Sequence, residues 1–462
     1  MLNFFYFKEF NQQYLLTNEF GQYAFVEKTQ LEDLIHDKID ANSPLGQELH
    51  QKGFLFSGST HAFTEIRKFE YRNAKNYLFS STSLFIFVVT TACNLGCVYC
   101  QANDGPATVR HVMSKEVAEK AVTVALQSPN QYLTFEFQGG EPLLNFDVIQ
   151  HIVRYTEANC GQKSVSFSVV TNLTLITDEM IDFFKEHNVS ISTSLDGDAL
   201  VHNQNRPYRD GSPSFNDVIK AVRKIRSAGL NVGAIQTTTR ASLPFAKEII
   251  DTYIQLGFQN IFLRPLTPLG CAKQHWNDIG YSPEEFIQFY STALMYIIEK
   301  CQAGVPIQEG HATIFLQKIL HNYPENYMEL RSPCGASVGQ MAFYCDGNVF
   351  TCDEGRMLYD MGKSDFYLGN VFQNTYHDLI SNSVCCTACT ASVTEAIPTC
   401  CDCVYQPYCG VCPVVNYALY DDVIAKQPNH YRCKLYRGIL DQLFGIIQEH
   451  QDACTILERW HI

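Results

Sequence analysis

The chain has 462 residues, 46% of them hydrophobic and 18% charged, with a net charge of −14 and 19 cysteines. That balance suits a globular protein with a sizeable core and argues against a protein that tracks nucleic-acid phosphates. No apolar run approaches the roughly 18 residues needed to cross a bilayer.

The opening "MLNFFYFKEFNQQYLL" lacks a basic start and is broken by Lys8 and Glu9, so it does not read as a secretory signal. A cytoplasmic location follows as the expectation, with no membrane and no nucleic-acid partner. In a reducing compartment an odd and high cysteine count points to metal, not disulfides. Twelve of the nineteen cysteines lie between Cys334 and Cys433. The acidic balance is compatible with a basic substrate, although it is more usually a solvated surface.

In chain order, "FFYFKEF", "YLLTN" and "YAFVE" read as short strands, with the turn "NEFG" between the last two. "KTQLEDLIHDKI" and "PLGQELHQKGFL" read as helices, with Leu31, Leu34 and Ile35 on one face. These make a small N-terminal module over residues 1–75. From residue 83 strands and amphipathic helices alternate. The strands are 84–90, 133–138, 164–171, 189–195, 231–239 and 260–266. Helices are expected to start near Ser114, Asn145, Thr177, Ser214, Pro244 and Ser282. Ser282, Pro283 and Glu285 supply cap, first position and capping box. Six β–α units imply a parallel α/β sheet, a partial (β/α)6 TIM-type barrel over 83–310 with its chemistry at the C-terminal strand ends. After residue 330 the periodicity fails. A hairpin turning at Asp346-Gly347, a cysteine-rich domain over 330–440 and a C-terminal helix over 441–462 are expected, the cysteine-rich part ordered by metal.

Cys93, Cys97 and Cys100 follow the first strand in "ACNLGCVYC". Three thiolates leave a structural zinc site one ligand short. They suit a four-iron cluster with one iron open to a non-protein ligand. Zinc completed by a distant ligand is the alternative.

The CxxxCxxC spacing, with Tyr99 before the last cysteine, resembles the radical S-adenosylmethionine (SAM) signature. The resemblance spans about residues 83–310 and implies a SAM-binding 4Fe–4S cluster that reductively cleaves SAM to a 5′-deoxyadenosyl radical. "FQGGEP" then implies that Gly139 and Gly140 let the backbone approach the ligand and that Glu141 accepts from the SAM ammonium. "VVTNLT" puts Thr171 and Asn172 near the same pocket, although the family commonly has glycine where this chain has Leu173. "STSLDG" offers Ser194 to the ribose, with Asp196-Gly197 alternatively a plain turn. Arg206 is implied as a partner of the SAM carboxylate or the substrate, with a surface ion pair as the alternative. "IFLRPLTPLG" is implied to pack against adenine through the backbone at Leu263, with Arg264 toward substrate.

The later cysteines are similar in order to the SPASM domain: Cys334, Gly347-x4-Cys352, then Cys400-x2-Cys403-x5-Cys409-x2-Cys412, and Cys433. That resemblance implies two auxiliary 4Fe–4S clusters. Cys400, Cys403, Cys409 and Cys433 would hold the outer one, and Cys334, Cys352 and Cys412 the inner one. The inner cluster's fourth ligand is Cys345 or Cys389, or the site is open. A zinc ribbon on the two Cx2C pairs explains only four of these cysteines. The final Cx2C departs from the family's usual Cx3C, and Cys345, Cys385, Cys386, Cys389 and Cys401 are additional. By resemblance to sulfatase-maturing relatives, Asp353 is the candidate general base; the alternative is a turn aspartate.

Residues 1–75 resemble the winged-helix element that captures leader peptides in peptide maturases, by adding the leader as a strand. A cap over the open end of the barrel is the alternative. Taken together the chain is most similar to the radical SAM/SPASM maturase of the His-Xaa-Ser system. The resemblance implies a precursor peptide with a leader, an electron donor such as flavodoxin or ferredoxin, and an intramolecular crosslink formed after hydrogen abstraction from a side-chain carbon. Other outcomes are formylglycine-type oxidation, thioether formation, epimerisation or activation of a protein partner. A non-catalytic metal-binding or electron-transfer protein is the reading from another class.

Overall fold

A computed structural model of the chain describes residues 1–102, 110–324 and 327–460. At the N-terminus, β1 (Tyr6–Phe10), β2 (Gln13–Thr17) and β3 (Tyr23–Val26) form an antiparallel sheet in that order. Asn11 and Gln12 close the first hairpin at φ +44° and +68°, the left-handed pair a two-residue turn needs. No glycine marks that turn. The second turn runs through Asn18 and Gly21, where the Asn18 side chain accepts from the Phe20 and Gln22 amides.

The two expected helices are Lys28–Ile35 and Pro44–Gln51. A third, Thr60–Ala74, is capped by Ser59 and went unforeseen. Phe63 is its one buried residue, while Ile66 and Phe69 are 75% and 73% exposed. It therefore shows no apolar stripe of the kind that identifies a helix.

The central sheet follows the expected rhythm. β4 (Leu84–Thr90), β5 (Tyr132–Gly139), β6 (Ser164–Val170), β7 (Val189–Ser194), β8 (Val232–Thr237) and β9 (Asn260–Arg264) lie side by side in sequence order, all parallel. The hydroxyls of Ser114, Thr177 and Ser282 cap their helices by accepting from the Val117, Met180 and Glu285 amides. Pro244 instead lies in a 3₁₀ turn ahead of helix Ala246–Gln255.

The sheet does not stop at six strands. β10 (Gln308–Glu309) pairs parallel with β9. β11 (Gln340–Phe343) runs parallel to β4, and β12 (Asn348–Phe350) and β13 (Tyr367–Asn370) continue antiparallel, making ten strands. The predicted hairpin is β11–β12, with Gly347 at φ +89°.

Side chains alternate across the strands. On β5, Leu133, Phe135 and Phe137 are buried in the core, while Thr134, Glu136 and Gln138 point to the opposite face. Register carries that face across the sheet, aligning Glu136 with Ser168 and Ser168 with Ser190. Glu136 of β5 and Arg264 of β9, four strands apart, are electrostatic neighbours, so the sheet curls around a polar hollow.

The C-terminal helix begins earlier than expected. It spans Tyr431–Glu449, capped by the His430 ring, and a second helix, Gln451–Leu457, follows a break at His450. Cys433 therefore sits in a helical first turn. The last two residues of the expected 441–462 helix lie outside the described residues.

Candidate cofactor and active site

The loop of Cys93, Cys97 and Cys100 leaves the C-terminal end of β4 and is clamped on both sides. On one side the Gly140 amide donates to Thr90 O at 2.8 Å and the Glu141 amide to Ala92 O at 2.7 Å. A Cβ on Gly140 would stand 2.2 Å from Ala92 O, and one on Gly139, at φ +143°, 2.1 Å from Thr90 O. The two glycines are thus required by contact between strand end and cysteine loop. On the other side the Gly96 and Val98 amides donate to Pro207 O and Asn205 O, and Arg209 Nε to Cys93 O at 2.7 Å.

Burial pushes each of the three thiols up to about 11. Cys97 raises Cys93, Cys100 raises Cys97 and Cys93 raises Cys100, while Arg206 lowers all three. Three half-buried thiols that feel one another, beside a half-buried cation, fit an iron–sulfur cluster whose thiolate charge needs compensation.

Glu141 is fully buried, and its carboxylate is engaged by the protein. Thr171 Oγ1 donates at 2.6 Å, the Asn172 amide at 2.7 Å and the Leu143 amide at 3.0 Å. Glu141 thereby ties the end of β5 to the end of β6. Asn172 Nδ2 donates to Asn94 Oδ1 at 2.9 Å and reaches Cys93 Sγ at 3.9 Å. Leu173, where a glycine is common in the family, adopts φ +63° and is buried. The chain accepts there a conformation that costs a non-glycine residue about 1–2 kcal/mol.

Arg206 is enclosed with Tyr99 and Asp196. Its Nη1 donates to the Tyr99 hydroxyl at 2.5 Å, and that hydroxyl donates to Asp196 Oδ2 at 2.7 Å. Asp196 also accepts from the Thr237 amide at 3.2 Å. Asp196 is fully buried and Arg206 partly so, which argues against a bare turn and a surface ion pair. Ser194 ends β7 opposite Ile235 of β8. Leu263 is buried, and its amide donates to Glu309 Oε1 at 3.1 Å. The His311 ring also hydrogen-bonds the Leu263 backbone.

Asp353 follows Cys352, which caps helix Asp353–Asp360 through its sulfur. The Asp353 carboxylate accepts from Nε and Nη2 of the fully buried Arg356, so it is an ion-paired group and not a bare turn. Around the hollow lie charged residues that no motif flagged. Glu136 accepts from Gln138 Nε2 at 2.5 Å and Ser168 Oγ at 3.3 Å, and burial raises its carboxyl. Glu329 meets Arg432 at 2.8 Å, Arg264 at 3.6 Å and the Tyr436 hydroxyl at 3.2 Å. Burial acts to raise its carboxyl, but the two guanidiniums hold it down at about 2. The available signal was a glutamate at an alternating position of a predicted strand.

The tail cysteines fall into two groups. Cys400, Cys403, Cys409 and Cys433 line one cavity of about 60 Å³, which Cys412 also borders. Burial raises the thiols of Cys400, Cys409 and Cys433, with further raising by one another and Cys403. Cys412 and Cys334 lie within thiol hydrogen-bonding reach, and Cys412 raises Cys352. Cys345 Sγ donates to Val88 O at 3.0 Å, turned toward β4. Cys385 and Cys389 pair with each other on helix Ser383–Thr390.

Residues 87–243 match the family model described as the radical SAM superfamily. The chain carries a radical SAM domain. An uncharacterized protein of Methanocaldococcus jannaschii is 33% identical to it over 183 residues, 40% of this chain and 62% of that protein, which is under two thirds of that protein's length. The serine-type anaerobic sulfatase-maturating enzyme of Bacteroides thetaiotaomicron is 26% identical over 394 residues, 79% of this chain and 90% of the enzyme. The radical SAM cyclopropyl synthase TigE of Paramaledivibacter caminithermalis is 24% identical over 355 residues, 73% of this chain and 69% of the synthase. Among solved structures, native anSMEcpe with bound AdoMet superposes with a TM-score of 0.70 at 19% identity, covering 82% of this chain and all of that one. Streptococcus suis SuiB bound to precursor peptide SuiA gives 0.55 at 13%, covering 91% and 96%. These two show a common fold. Radical SAM proteins use a 4Fe–4S cluster and SAM, and the relatives named here by activity are enzymes.

Proposed function

We propose that the chain is a radical SAM enzyme that modifies a ribosomally made precursor peptide by forming an intramolecular crosslink. One observation carries the enzyme reading. The three-cysteine loop is built into the C-terminal rim of a parallel sheet, over a hollow bordered by Glu136, Ser168 and Arg264. An electron-transfer protein has no need of such a hollow.

When bound, cluster and SAM supply a carbon-centred radical able to take a hydrogen atom from an unactivated C–H bond. The chain's own residues do the rest. Cys93, Cys97 and Cys100 hold the iron, and Arg206 offsets thiolate charge from behind Tyr99. Glu141, Thr171 and Asn172 fix the strand ends that frame the SAM pocket, with Ser194 on β7 and Leu263 on β9 farther round the rim. Glu136, Ser168 and Arg264 orient a side chain inside the hollow. Cys334, Cys352 and Cys412, and beyond them Cys400, Cys403, Cys409 and Cys433, would hold two auxiliary clusters, groups able to take up an electron in an oxidative outcome. Asp353 is the proposed base, held in place by Arg356. The N-terminal module captures the peptide. A cytoplasmic location and a flavodoxin- or ferredoxin-type donor complete the proposal.

The crosslink draws support from TigE, named a cyclopropyl synthase, and from the fold shared with SuiB, solved with its precursor peptide. Formylglycine-type oxidation is the second reading, favoured by the longer match to the sulfatase-maturating enzyme. Anaerobic co-expression with a short peptide encoded beside the gene tests both. Loss of two hydrogens without an aldehyde supports the crosslink. Loss of two hydrogens with hydrazide-reactive aldehyde supports formylglycine, and unchanged mass with an inverted centre supports epimerisation. A colourless anaerobic preparation holding zinc in place of iron would end the enzyme reading.

A further inference from the structure

Two buried N–H donors stand at the cavity that Cys400, Cys403, Cys409 and Cys433 share. His430 and Arg432 line that cavity with them. The His430 ring is 2% exposed. Its Nδ1 accepts from the Arg432 amide at 3.0 Å, so the ring proton sits on Nε2 and makes that nitrogen a donor. Among the described residues Nε2 is buried and has no hydrogen-bond partner. The Arg432 side chain is 14% exposed, and its Nη2 meets Glu329 Oε2 at 2.8 Å. Its Nη1 is buried and, among the described residues, has no partner either.

The position of the cation is informative too. Arg432 lies in the first turn of helix Tyr431–Glu449, where the helix dipole favours anions over cations. Its electrostatic neighbours are Glu329, Tyr436, Cys412 and Glu354, and Glu329 is shared with Arg264 at 3.6 Å. The backbone holds this arrangement against the cysteines. A Cβ on Gly410, next to Cys409, would stand 2.5 Å from Glu329 O. Buried donors are normally satisfied, and a charged one left without an acceptor is the more unfavourable. Two of them beside one set of cysteines call for acceptors within the cavity.

We propose that His430 Nε2 and Arg432 Nη1 are positioning donors for the outer auxiliary cluster, each giving an N–H···S hydrogen bond to one of its sulfurs and together raising its reduction potential. Hydrogen bonds to sulfur and nearby charge are levers that set such potentials. Taking up one electron adds a unit of negative charge at the sulfurs, which a cation and two N–H dipoles stabilise. The proposal rests on reading Cys400, Cys403, Cys409 and Cys433 as cluster ligands in a radical SAM peptide modifier.

The experiment reduces the cluster-loaded full chain stepwise with dithionite and follows it by electron paramagnetic resonance. The outer wave is the one that Cys403→Ala lacks. His430→Asn keeps a side chain able to cap the helix and drops the ring donor, whereas Arg432→Gln drops the charge. In both, iron content should match the unmodified chain. The outer wave should move to more negative potential by at least about tenfold in the reduction equilibrium, about 59 mV for one electron. Lys434→Gln removes an exposed charge from the same helix turn, outside the cavity, and should leave the wave in place. No shift in one or both variants, a positive shift, or an equal shift in Lys434→Gln overturns the proposal. Where a variant loses iron, the unmodified chain carrying heavy-nitrogen histidine decides. The reduced outer cluster should show a weak coupling to ring nitrogen. Its absence overturns the proposal, as does a coupling as strong as that of an iron-bound nitrogen, which would make His430 a ligand. Release of 5′-deoxyadenosine from SAM by the unmodified loaded chain is scored separately. Its absence defeats the enzyme reading and leaves the donors to be judged on the potentials. A chain that loads no iron beyond the first cluster defeats the donors and leaves the enzyme reading standing.

Discussion

Arg206 donates to the hydroxyl of Tyr99 at 2.5 Å, and so a cation sits directly behind a tyrosine of the cysteine loop. The hydroxyl passes its own hydrogen bond to Asp196 at 2.7 Å. One aromatic side chain therefore joins the cysteine loop to the end of β7 and to the helix that follows it. Tyr99→Phe deletes the bridge and leaves two buried charged groups each short of a partner. It should destabilise the cluster-free chain by about 1–3 kcal/mol, read from urea unfolding. A change within measurement error would show that the bridge contributes nothing.

Gly140→Ala should be worse than its single methyl suggests. The added carbon meets the Ala92 carbonyl oxygen at 2.2 Å and the Thr91 carbonyl oxygen at 2.7 Å, and both are backbone atoms that cannot swing aside. The loop is expected to shift and the variant to load about four fewer irons. Iron and sulfide assay checks this, with circular dichroism showing whether the rest of the fold survives.

Cys345 and Cys412 should part company in the same assay. Cys412 faces Cys334 and Cys352, whereas Cys345 donates to Val88 O within the sheet. Cys412→Ala is expected to lower iron content. Cys345→Ala should leave iron unchanged and cost about 1–2 kcal/mol of stability through lost packing and an unpaired carbonyl. Iron loss in Cys345→Ala would put that residue back among the ligands.

Two histidines give the cluster-free chain a defined acid sensitivity. Burial, with help from Arg206, holds His202 at about 3, and burial, with help from Arg264, holds His311 at about 3. Unfolded histidine titrates near 6.5. Below about pH 6.5 the unfolded chain therefore binds protons that the folded chain refuses. Stability should fall as pH drops toward 3, by up to about 1.4 kcal/mol per pH unit for each ring. His202→Gln should be less stable at pH 7 yet show a shallower decline between pH 6.5 and 4. A parallel decline would mean that His202 does not titrate in this way.

Much of this was legible in the sequence because local chemistry and global fold agree. Ser114, Thr177 and Ser282 announce helices, and the six strands carry their apolar faces openly. The hairpin at Gly347 shows its glycine, whereas the one at Asn11-Gln12 shows none and had to be seen. Helix Thr60–Ala74 escaped because it buries almost nothing. The motifs placed Cys93, Glu141 and Asn172 in one neighbourhood, but not which partner each would take. Glu141 spends its carboxylate on Thr171, Asn172 and Leu143, a tertiary arrangement that no spacing encodes. Glu136, Glu329 and Arg432 were invisible for the same reason. Their importance comes from which strands and helices face each other, across more than a hundred residues of chain.

The parallel pairing of β11 with β4 has a bearing on how such chains can be recombined. Gln340 lies beside Leu84, and Phe343 beside Phe87. The strand that launches the first cysteine loop and the strand that leads to Cys352 are stitched residue against residue. The separation between the two cysteine-bearing regions is then set by hydrogen-bond register, and the length of chain joining them has no say in it. Grafting a foreign tail onto this sheet would succeed only where its leading strand kept that alignment. A slip of one residue would invert every side chain on β11 and move Cys352 by about 3.3 Å, a displacement that electron transfer between the proposed clusters would register as a change in rate.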